Sequence, residues 1–324
     1  MTETAKPPAV WQKLAAVAKT KAFQFTVGGV LVILVLFLLS REVHPDEIMK
    51  ALREANIWWV VAAFAIGIAS WFGASMPLKM LPSIKVPYRE ALLVQISASF
   101  VNVAVPGGLG TASLDLDYLK RRGLRTSRSV AVVALVELAQ GAATVLLFGI
   151  VLLFDHDFPK MDFPLKEVLI GAAIVVVVLA ATLTVPKVRN LVVTKTREFW
   201  GKVKPEFHRL KENPMAGVWA MLGLLLESAA HGIAMVFCVF AVGHSISVAE
   251  GIMVYLIGTM IGSAIPVPGG IGSTLAAMVT ALHFIGLTTS IATVAVVLFR
   301  FATFYLLVPF GGIAFAYMQR KKLL

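Results

Sequence analysis

Long stretches of this chain contain no Asp, Glu, Lys or Arg, and each is long enough to cross a membrane or nearly so. Among them are residues 23–40, 57–78, 138–154, 168–185 and 251–299. A membrane-spanning helix needs about 20 apolar residues, so the last stretch is too long for one span. The chain is 58% hydrophobic, whereas soluble domains are about 45–50% apolar. These features exclude a soluble globular protein and predict an all-α integral membrane protein.

The basic residues indicate which side of the membrane each loop occupies. With the N-terminus placed in the cytoplasm, 23 of the 29 Lys and Arg residues fall in cytoplasmic segments, five fall outside, and Arg300 lies within a span. Cytoplasmic loops retain such an excess of basic residues. We therefore predict a multi-pass protein of the plasma or inner membrane with both termini cytoplasmic. The net charge of +11 reflects this topology, and no nucleic-acid partner is expected.

The charge pattern also divides the chain into segments. We predict a cytoplasmic N-terminal segment at 1–22, a first half at 23–185, a basic cytoplasmic linker at 186–214 and a second half at 215–324. About six full transmembrane helices are expected, at 23–39, 57–76, 130–154, 168–185, 215–242 and 291–318. The first of these is not predicted to be a cleaved signal, because no small-residue cleavage site follows it.

Two short apolar elements, near 91–119 and 251–286, are interrupted by similar glycine-rich turns. Their residues are Pro106, Gly107, Gly108 and Gly110 in the first, and Pro268, Gly269, Gly270 and Gly272 in the second. Basic residues flank both ends of the first element, and its two arms are too short to span comfortably. We therefore predict two re-entrant hairpins, with irregular backbone that is buried in protein or lines a wet cavity. The glycines could instead serve only close helix packing.

The two halves of the chain also resemble each other. The sequence Gly-Leu-Arg-Thr-Ser at 123–127 is matched by Gly-Leu-Thr-Thr-Ser at 286–290, 163 residues later, and the turn motifs recur at nearly the same offset. By the predicted topology the helices that follow run in opposite directions. This pattern predicts an inverted-topology repeat, a design that recurs in transporters.

Two charged residues within the predicted spans occupy matching positions of the repeat, Glu137 and Arg300. Charged side chains in a bilayer are costly and usually pair or face a wet cavity. One hypothesis is that Glu137 and Arg300 pair, or jointly line a central cavity, and bind a zwitterionic or anionic head group. The alternative is an ion pair that only fixes packing.

Further polar residues are candidates for substrate binding. Glu227 and His231 are four residues apart and share a helix face, which suits either a proton-coupling pair or an interior hydrogen bond. Asp115 could bind a head group or cation, or hold the returning arm near the cytoplasm. Asn102, Ser273 and Thr274 adjoin the broken elements, where helix N-termini favour anions.

Known catalytic and metal-binding patterns are missing from the sequence. It has no HExxH, GxSxG or P-loop motif, and its one cysteine, Cys238, excludes a disulfide framework and a cysteine-rich metal site. We expect Cys238 to be a small buried residue. No enzyme activity, cofactor or metal is predicted.

Three motifs of the chain are similar to those of one known family. They are the turn motifs Asn102-x-x-x-Pro106-Gly107-Gly108-x-Gly110 and Pro266-x-Pro268-Gly269-Gly270-x-Gly272, and the last-span pattern Leu298-Phe299-Arg300-x-x-x-x-Tyr305. The chain resembles the lysylphosphatidylglycerol synthase transmembrane-region family, also described as flippase-like, over roughly residues 31–317. The resemblance implies a stand-alone module without the synthase domain that moves a lipid across the bilayer.

The resemblance further implies a substrate such as an aminoacylated phospholipid or a polyprenyl-linked sugar, with Tyr305 at the site and envelope-biosynthesis enzymes as possible partners. Family members often carry a Glu after the second glycine motif, where this chain has Ser273 and Thr274. Two other functions remain open at this point. They are a membrane-embedded lipid-modifying transferase that uses Asp115 or Asp117, and an accessory or scaffold protein of envelope lipid assembly.

Overall fold

The computed structural model describes residues 53–105, 109–154, 200–201, 203–264 and 271–324. The predicted spans at 23–39 and 168–185, the N-terminal segment and most of the basic linker lie outside these residues. So do Pro106, Gly107 and Gly108 of the first turn and Pro268, Gly269 and Gly270 of the second.

Every regular element of the described residues is helical, and the elements are α1 (Ile57–Met80), α2 (Tyr88–Ala104), α3 (Leu109–Arg121), α4 (Thr126–Phe154), α5 (Pro214–Ala241), α6 (Val248–Ala264), α7 (Ile271–Phe284), α8 (Thr289–Thr303) and α9 (Val308–Arg320). Residues 203–212 are also helical. In this part of the chain, α1, α4, α5 and the α8–α9 pair are long and apolar enough to cross a membrane. The prediction of an all-helical, multi-pass membrane protein is confirmed; the total number of spans stays a prediction.

Local signals explain where the long helices begin. The Asn56 side chain accepts a hydrogen bond from the Trp58 amide at 3.0 Å at the start of α1. Thr288 caps α8 in the same manner by accepting from Ile291. Such caps satisfy backbone donors that have no partner inside the helix. The helices are therefore set by their ends as well as by their apolar content.

The order of helix lengths repeats along the described chain. The long helix α1 is followed by the 17-residue α2, the 13-residue α3 and the long α4. The long helix α5 is followed by the 17-residue α6, the 14-residue α7 and the broken α8–α9 pair. Gly123 before α4 and Gly286 before α8 both have positive φ, +89° and +103°. Glycine adopts this backbone readily, so the repeated Gly-Leu-x-Thr-Ser sequence forms matching turns.

Helices α2 and α3 form an antiparallel hairpin that three side-chain hydrogen bonds hold together. The Tyr118 hydroxyl donates to Glu90 at 2.7 Å, and Gln95 donates to Asp115 at 3.1 Å. Nearest the turn, Asn102 donates to the Thr111 hydroxyl at 2.9 Å. At 1.5 Å per residue these arms are about 26 and 20 Å long, shorter than the hydrocarbon core of about 30 Å.

The last long helix is interrupted, which the sequence analysis did not predict. Helix α8 ends at Thr303, a 3₁₀ turn covers Tyr305–Leu307, and α9 begins at Val308. Pro309 follows directly. Proline lacks an amide hydrogen and its ring clashes with the carbonyl four residues earlier, which here belongs to Tyr305. The break therefore has a local cause.

The two halves meet where α1 packs against α5. A Cβ atom built on Gly223 of α5 would lie 2.6 Å from the Gly73 carbonyl oxygen of α1. Only glycine allows two helix backbones to approach so closely. This contact places the polar faces of α1 and α5 beside the α2–α3 hairpin.

Candidate functional site

Two adjoining polar cavities lie between the helices, with volumes of about 260 and 150 Å³. Ala74, Gln95, Thr111 and Glu227 line both, so the cavities share a wall. We call the larger one the acidic cavity. The smaller one, which includes the break in the last helix, we call the histidine cavity.

The acidic cavity brings together three carboxylates from three helices: Asp115 of α3, Glu137 of α4 and Glu227 of α5. Asp115 is deeply buried, with 2% of its surface exposed, and accepts the Gln95 hydrogen bond. Glu137 is exposed at the rim. Among the described residues that line either cavity there is no Lys or Arg. The cavity is thus an acidic site between apolar helices, with three carboxyl groups and no cationic side chain among its described lining residues.

The histidine cavity lies on the other side of Glu227. Its lining contains polar side chains from α1, α2, α3, α5 and the end of α8: Ser70, Trp71, Gln95, Ser99, Asn102, Thr111, Glu227, His231 and Thr303. The Trp71 indole donates to Ser99 at 3.2 Å. His231 places its Nδ1 atom 2.9 Å from the Glu227 carbonyl oxygen and stacks on Tyr255, with ring centroids 4.9 Å apart.

Asn102 braces the hairpin at its turn. Its amide nitrogen donates to the Thr111 hydroxyl, and its Oδ1 atom accepts from the Thr111 backbone amide at 3.1 Å. The amide oxygen thereby satisfies a donor in the first turn of α3. Gly110 faces Asn102 directly, and a Cβ atom there would lie 3.1 Å from the Asn102 backbone nitrogen. The brace therefore requires glycine at position 110.

Arg300 lies in α8, one turn before the break. Its charge acts on His231, Tyr255 and Tyr305. Among the described residues its buried Nε atom has no hydrogen-bond partner, and no ion pair includes it. Thr303 and Phe304, three and four residues later, line the histidine cavity. Arg300 itself lines neither cavity, but its charge acts on His231, which lines the histidine cavity.

The structure does not pair Glu137 with Arg300. The ion pairs between described residues are Lys120–Asp117, Arg122–Glu90 and Arg209–Glu206. Glu137 lines the acidic cavity, whereas Arg300 lines neither cavity. The two matching positions of the repeat therefore do not share a cavity, and their roles in substrate binding stay predictions.

The remaining predicted site residues belong mainly to the second half. Thr274 is buried, and its Cα atom would lie 3.2 Å from a Cβ atom on Gly262, so it packs α7 against α6. Tyr305 is exposed and contacts Phe304 edge to face. The backbone of Ser273 and Gly272 is helical, and the Ser273 side chain lies outside the described residues. Thr274 and Tyr305 line neither cavity.

Sequence reasoning missed several residues of the cavities, above all Gln95, Gln140 and Trp71. A signal was present for the two glutamines. Gln95 is a large polar residue in an apolar arm, and Gln140 follows Glu137 by three residues, which places both on one helix face. No signal identified Trp71, because tryptophan is common in membrane helices.

The sequence model of the lysylphosphatidylglycerol synthase TM region matches residues 25–311. The chain belongs to this family. The predicted resemblance is confirmed, and the match is to a transmembrane region, which makes this a membrane protein of lipid metabolism or transport. No curated protein matches the chain.

Proposed function

We propose that this protein moves a lipid with an amine-bearing head group, such as an aminoacylated phospholipid, from one leaflet to the other. The observation that carries the proposal is the acidic cavity, where Asp115, Glu137 and Glu227 converge and no described lining residue is cationic. A charge buried in a membrane needs a partner or a wet surrounding. An ammonium group is a fitting partner for these carboxylates, and family membership supports a lipid as its carrier.

Arg300 suits the phosphate of the same lipid. The guanidinium group always carries its positive charge, and no described carboxylate pairs with it. A phosphate at Arg300 and an ammonium group at Glu227 would place one head group across the shared wall of the two cavities. Glu137 at the rim would be the first carboxylate that the ammonium group meets.

The proposed function goes with three further proposals about the architecture. The hairpins enter and leave the membrane on the same side, the two halves have inverted topology, and the termini lie in the cytoplasm at the plasma or inner membrane. Two similar halves in opposite orientation can exchange roles, which gives outward-open and inward-open states of similar energy. Such a module transports without chemical change, and envelope-biosynthesis enzymes would supply its substrate.

A polyprenyl-linked sugar is the second candidate substrate. Gln95, Gln140 and Asn102 offer amide groups to the two cavities, and Trp71 lines the histidine cavity. Carboxylates and amides can bind sugar hydroxyls, and aromatic rings offer an apolar surface beside them. This substrate would need no cationic group.

Reconstitution into liposomes with head-group-labelled lipids tests the proposal. We expect wild-type protein to move labelled lysyl-phosphatidylglycerol between leaflets at least tenfold faster than protein-free liposomes. Arg300→Ala and Glu137→Gln should each reduce the rate by about tenfold or more, because one lost charge interaction of about 1.4 kcal/mol corresponds to a factor of ten. Arg320→Ala, at the exposed end of α9, is the matched control and should leave the rate unchanged.

The result also separates the candidate substrates. Faster movement of a polyprenyl-linked sugar than of lysyl-phosphatidylglycerol would select the second candidate. Movement of neither lipid by well-folded protein would refute the proposed function.

A further inference from the structure

The three carboxylates of the acidic cavity act on one another. The negative charge of Glu137 is felt by both Asp115 and Glu227. The Glu227 carboxylate faces both cavities and has no hydrogen-bond or ion-pair partner among the described residues. Asp115 has one neutral partner, the Gln95 amide. The three acids therefore converge with little compensation from the protein.

The titratable groups around this cluster are few. Helix α3 contributes Asp115, α4 contributes Glu137, and α5 contributes Glu227 and His231. Helices α1 and α2 contribute only neutral side chains to the two cavities. Beyond His231 lie Tyr255 of α6, then Arg300 and Tyr305. Arg300 is the one cation of this set, and it lines neither cavity.

Carboxylates that share a cavity of low dielectric constant do not all ionise, because desolvation and mutual repulsion both favour the neutral form. Such sites titrate as a group, so the bound proton belongs to the cluster rather than to one residue. When the cavity holds no cation, the cluster therefore retains at least one proton. When an ammonium group enters, it supplies the missing positive charge, and a proton becomes free to leave.

We propose that the Asp115–Glu137–Glu227 cluster exchanges a proton for the cationic head group, so that a proton gradient drives lipid movement. This inference rests on the proposed function. The carboxylic acid loses its proton to the water on the side to which the cavity is open, and the carboxylate pairs with the ammonium group. After the cavity opens to the other side, a proton from that side displaces the lipid. Protons and lipid cross in opposite directions.

The exchange has a definite thermodynamic limit. One pH unit corresponds to about 1.4 kcal/mol per proton, so a one-for-one exchange across a gradient of one unit sustains about a tenfold ratio of lipid between the leaflets. Lipid movement without exchange relaxes to a ratio that the pH gradient does not affect. The final distribution therefore distinguishes coupled movement from uncoupled movement, whatever the rate.

The test uses proteoliposomes that contain the full chain and fluorescent lysyl-phosphatidylglycerol. A pH gradient of one unit is imposed in either direction, and the outer-leaflet fraction is read by chemical quenching. We expect lipid to accumulate in the leaflet facing the more acidic compartment, because protons leaving that compartment drive lipid into it. The accumulation should reverse with the gradient and vanish when a protonophore is added.

Two variants locate the exchange. Asp115→Asn keeps the shape of the side chain but cannot release a proton, and it should lower the gradient-driven ratio toward one. Asp117→Asn is the matched control on the same helix, because Asp117 is 64% exposed and pairs with Lys120. It should retain the full ratio.

Each outcome is decisive. If wild-type protein moves the lipid but the final ratio ignores the gradient, proton exchange is wrong while the proposed function stands. If Asp115→Asn protein still accumulates lipid like wild type, Asp115 is not part of the exchange. If the lipid does not move at all, the proposed function fails, and the exchange fails with it.

Discussion

Gly110 and Asn102 show how single residues hold the candidate site in shape. Asn102 makes two hydrogen bonds to Thr111 across the turn of the hairpin, and Gly110 leaves the space that this contact needs. The same hairpin carries Gln95 and Asp115 into the cavities. A small change at the turn should therefore alter both stability and the position of the buried carboxylate.

We predict that Gly110→Ala destabilises the protein by about 1–3 kcal/mol, the usual cost of overpacking a tight contact. Cys238 is the only cysteine of the chain and is fully buried, so its reaction with a thiol dye during heating reports unfolding. The midpoint of that reaction should fall for Gly110→Ala. In Gly149→Ala, the control, the new Cβ meets no atom within 4 Å, and the midpoint should be unchanged or slightly higher. Equal midpoints for the two variants would contradict the brace.

The sequence identified individual residues of the site better than it identified their partners. Glu137, Glu227, Asp115 and Asn102 stood out because polar groups are rare in membrane helices. The Gln95–Asp115 and Asn102–Thr111 contacts could not be predicted, because they depend on how α2 and α3 are aligned across the turn. The proposed pairing of Glu137 with Arg300 illustrates the same limit. Matching positions in a repeat specify similar surroundings but not mutual contact.

At the scale of elements, the broken last helix distinguishes the second half from the first. Helix α4 runs unbroken from Thr126 to Phe154, whereas α8 stops at Thr303 and α9 starts at Val308. Phe304 and Leu307, at the break, line the histidine cavity. The sequence contained the signal, because Pro309 lies within the predicted span at 291–318. Among the described residues the other span boundaries were predicted closely, since apolar stretches and their flanking charges set them.

We predict that Pro309→Ala joins α8 and α9 into one helix. Alanine restores an amide donor to the Tyr305 carbonyl and removes the ring clash, an effect of up to about 3 kcal/mol within a helix. Hydrogen exchange at residues 305–308 should slow by at least tenfold, and lipid movement should slow because Phe304 and Leu307 would no longer line the histidine cavity. Pro214→Ala is the control, because proline is tolerated at the start of α5. Unchanged exchange at 305–308 would show that the break has another cause.

At the scale of the whole molecule, the side of the membrane that each hairpin faces distinguishes a simple row of spans from two inverted halves. Helices α2 and α3 are too short to cross the bilayer singly and are joined by four cross-arm hydrogen bonds. If the hairpin is re-entrant, its two ends face the same side. If each arm instead crosses the membrane in a thinned region, the two ends still face the same side, but the turn would be accessible from the opposite side. The second hairpin should show the same arrangement with the sides exchanged.

Single cysteines introduced on a Cys238→Ala background test this arrangement in intact cells. Lys85→Cys and Arg125→Cys flank the first hairpin, Ser245→Cys and Thr289→Cys flank the second, and all four positions are exposed. A membrane-impermeant maleimide should label the second pair from outside, whereas the first pair should react only after the membrane is opened.

Leu109→Cys, exposed beside the first turn, should resist labelling from outside, because a re-entrant turn stops within the protein. Opposite labelling of the two ends of either hairpin would rule out re-entry there, and identical labelling of both hairpins would rule out inverted halves. The excess of basic residues around the first hairpin is the reason to expect its ends in the cytoplasm, so this experiment tests the charge asymmetry and the repeat together.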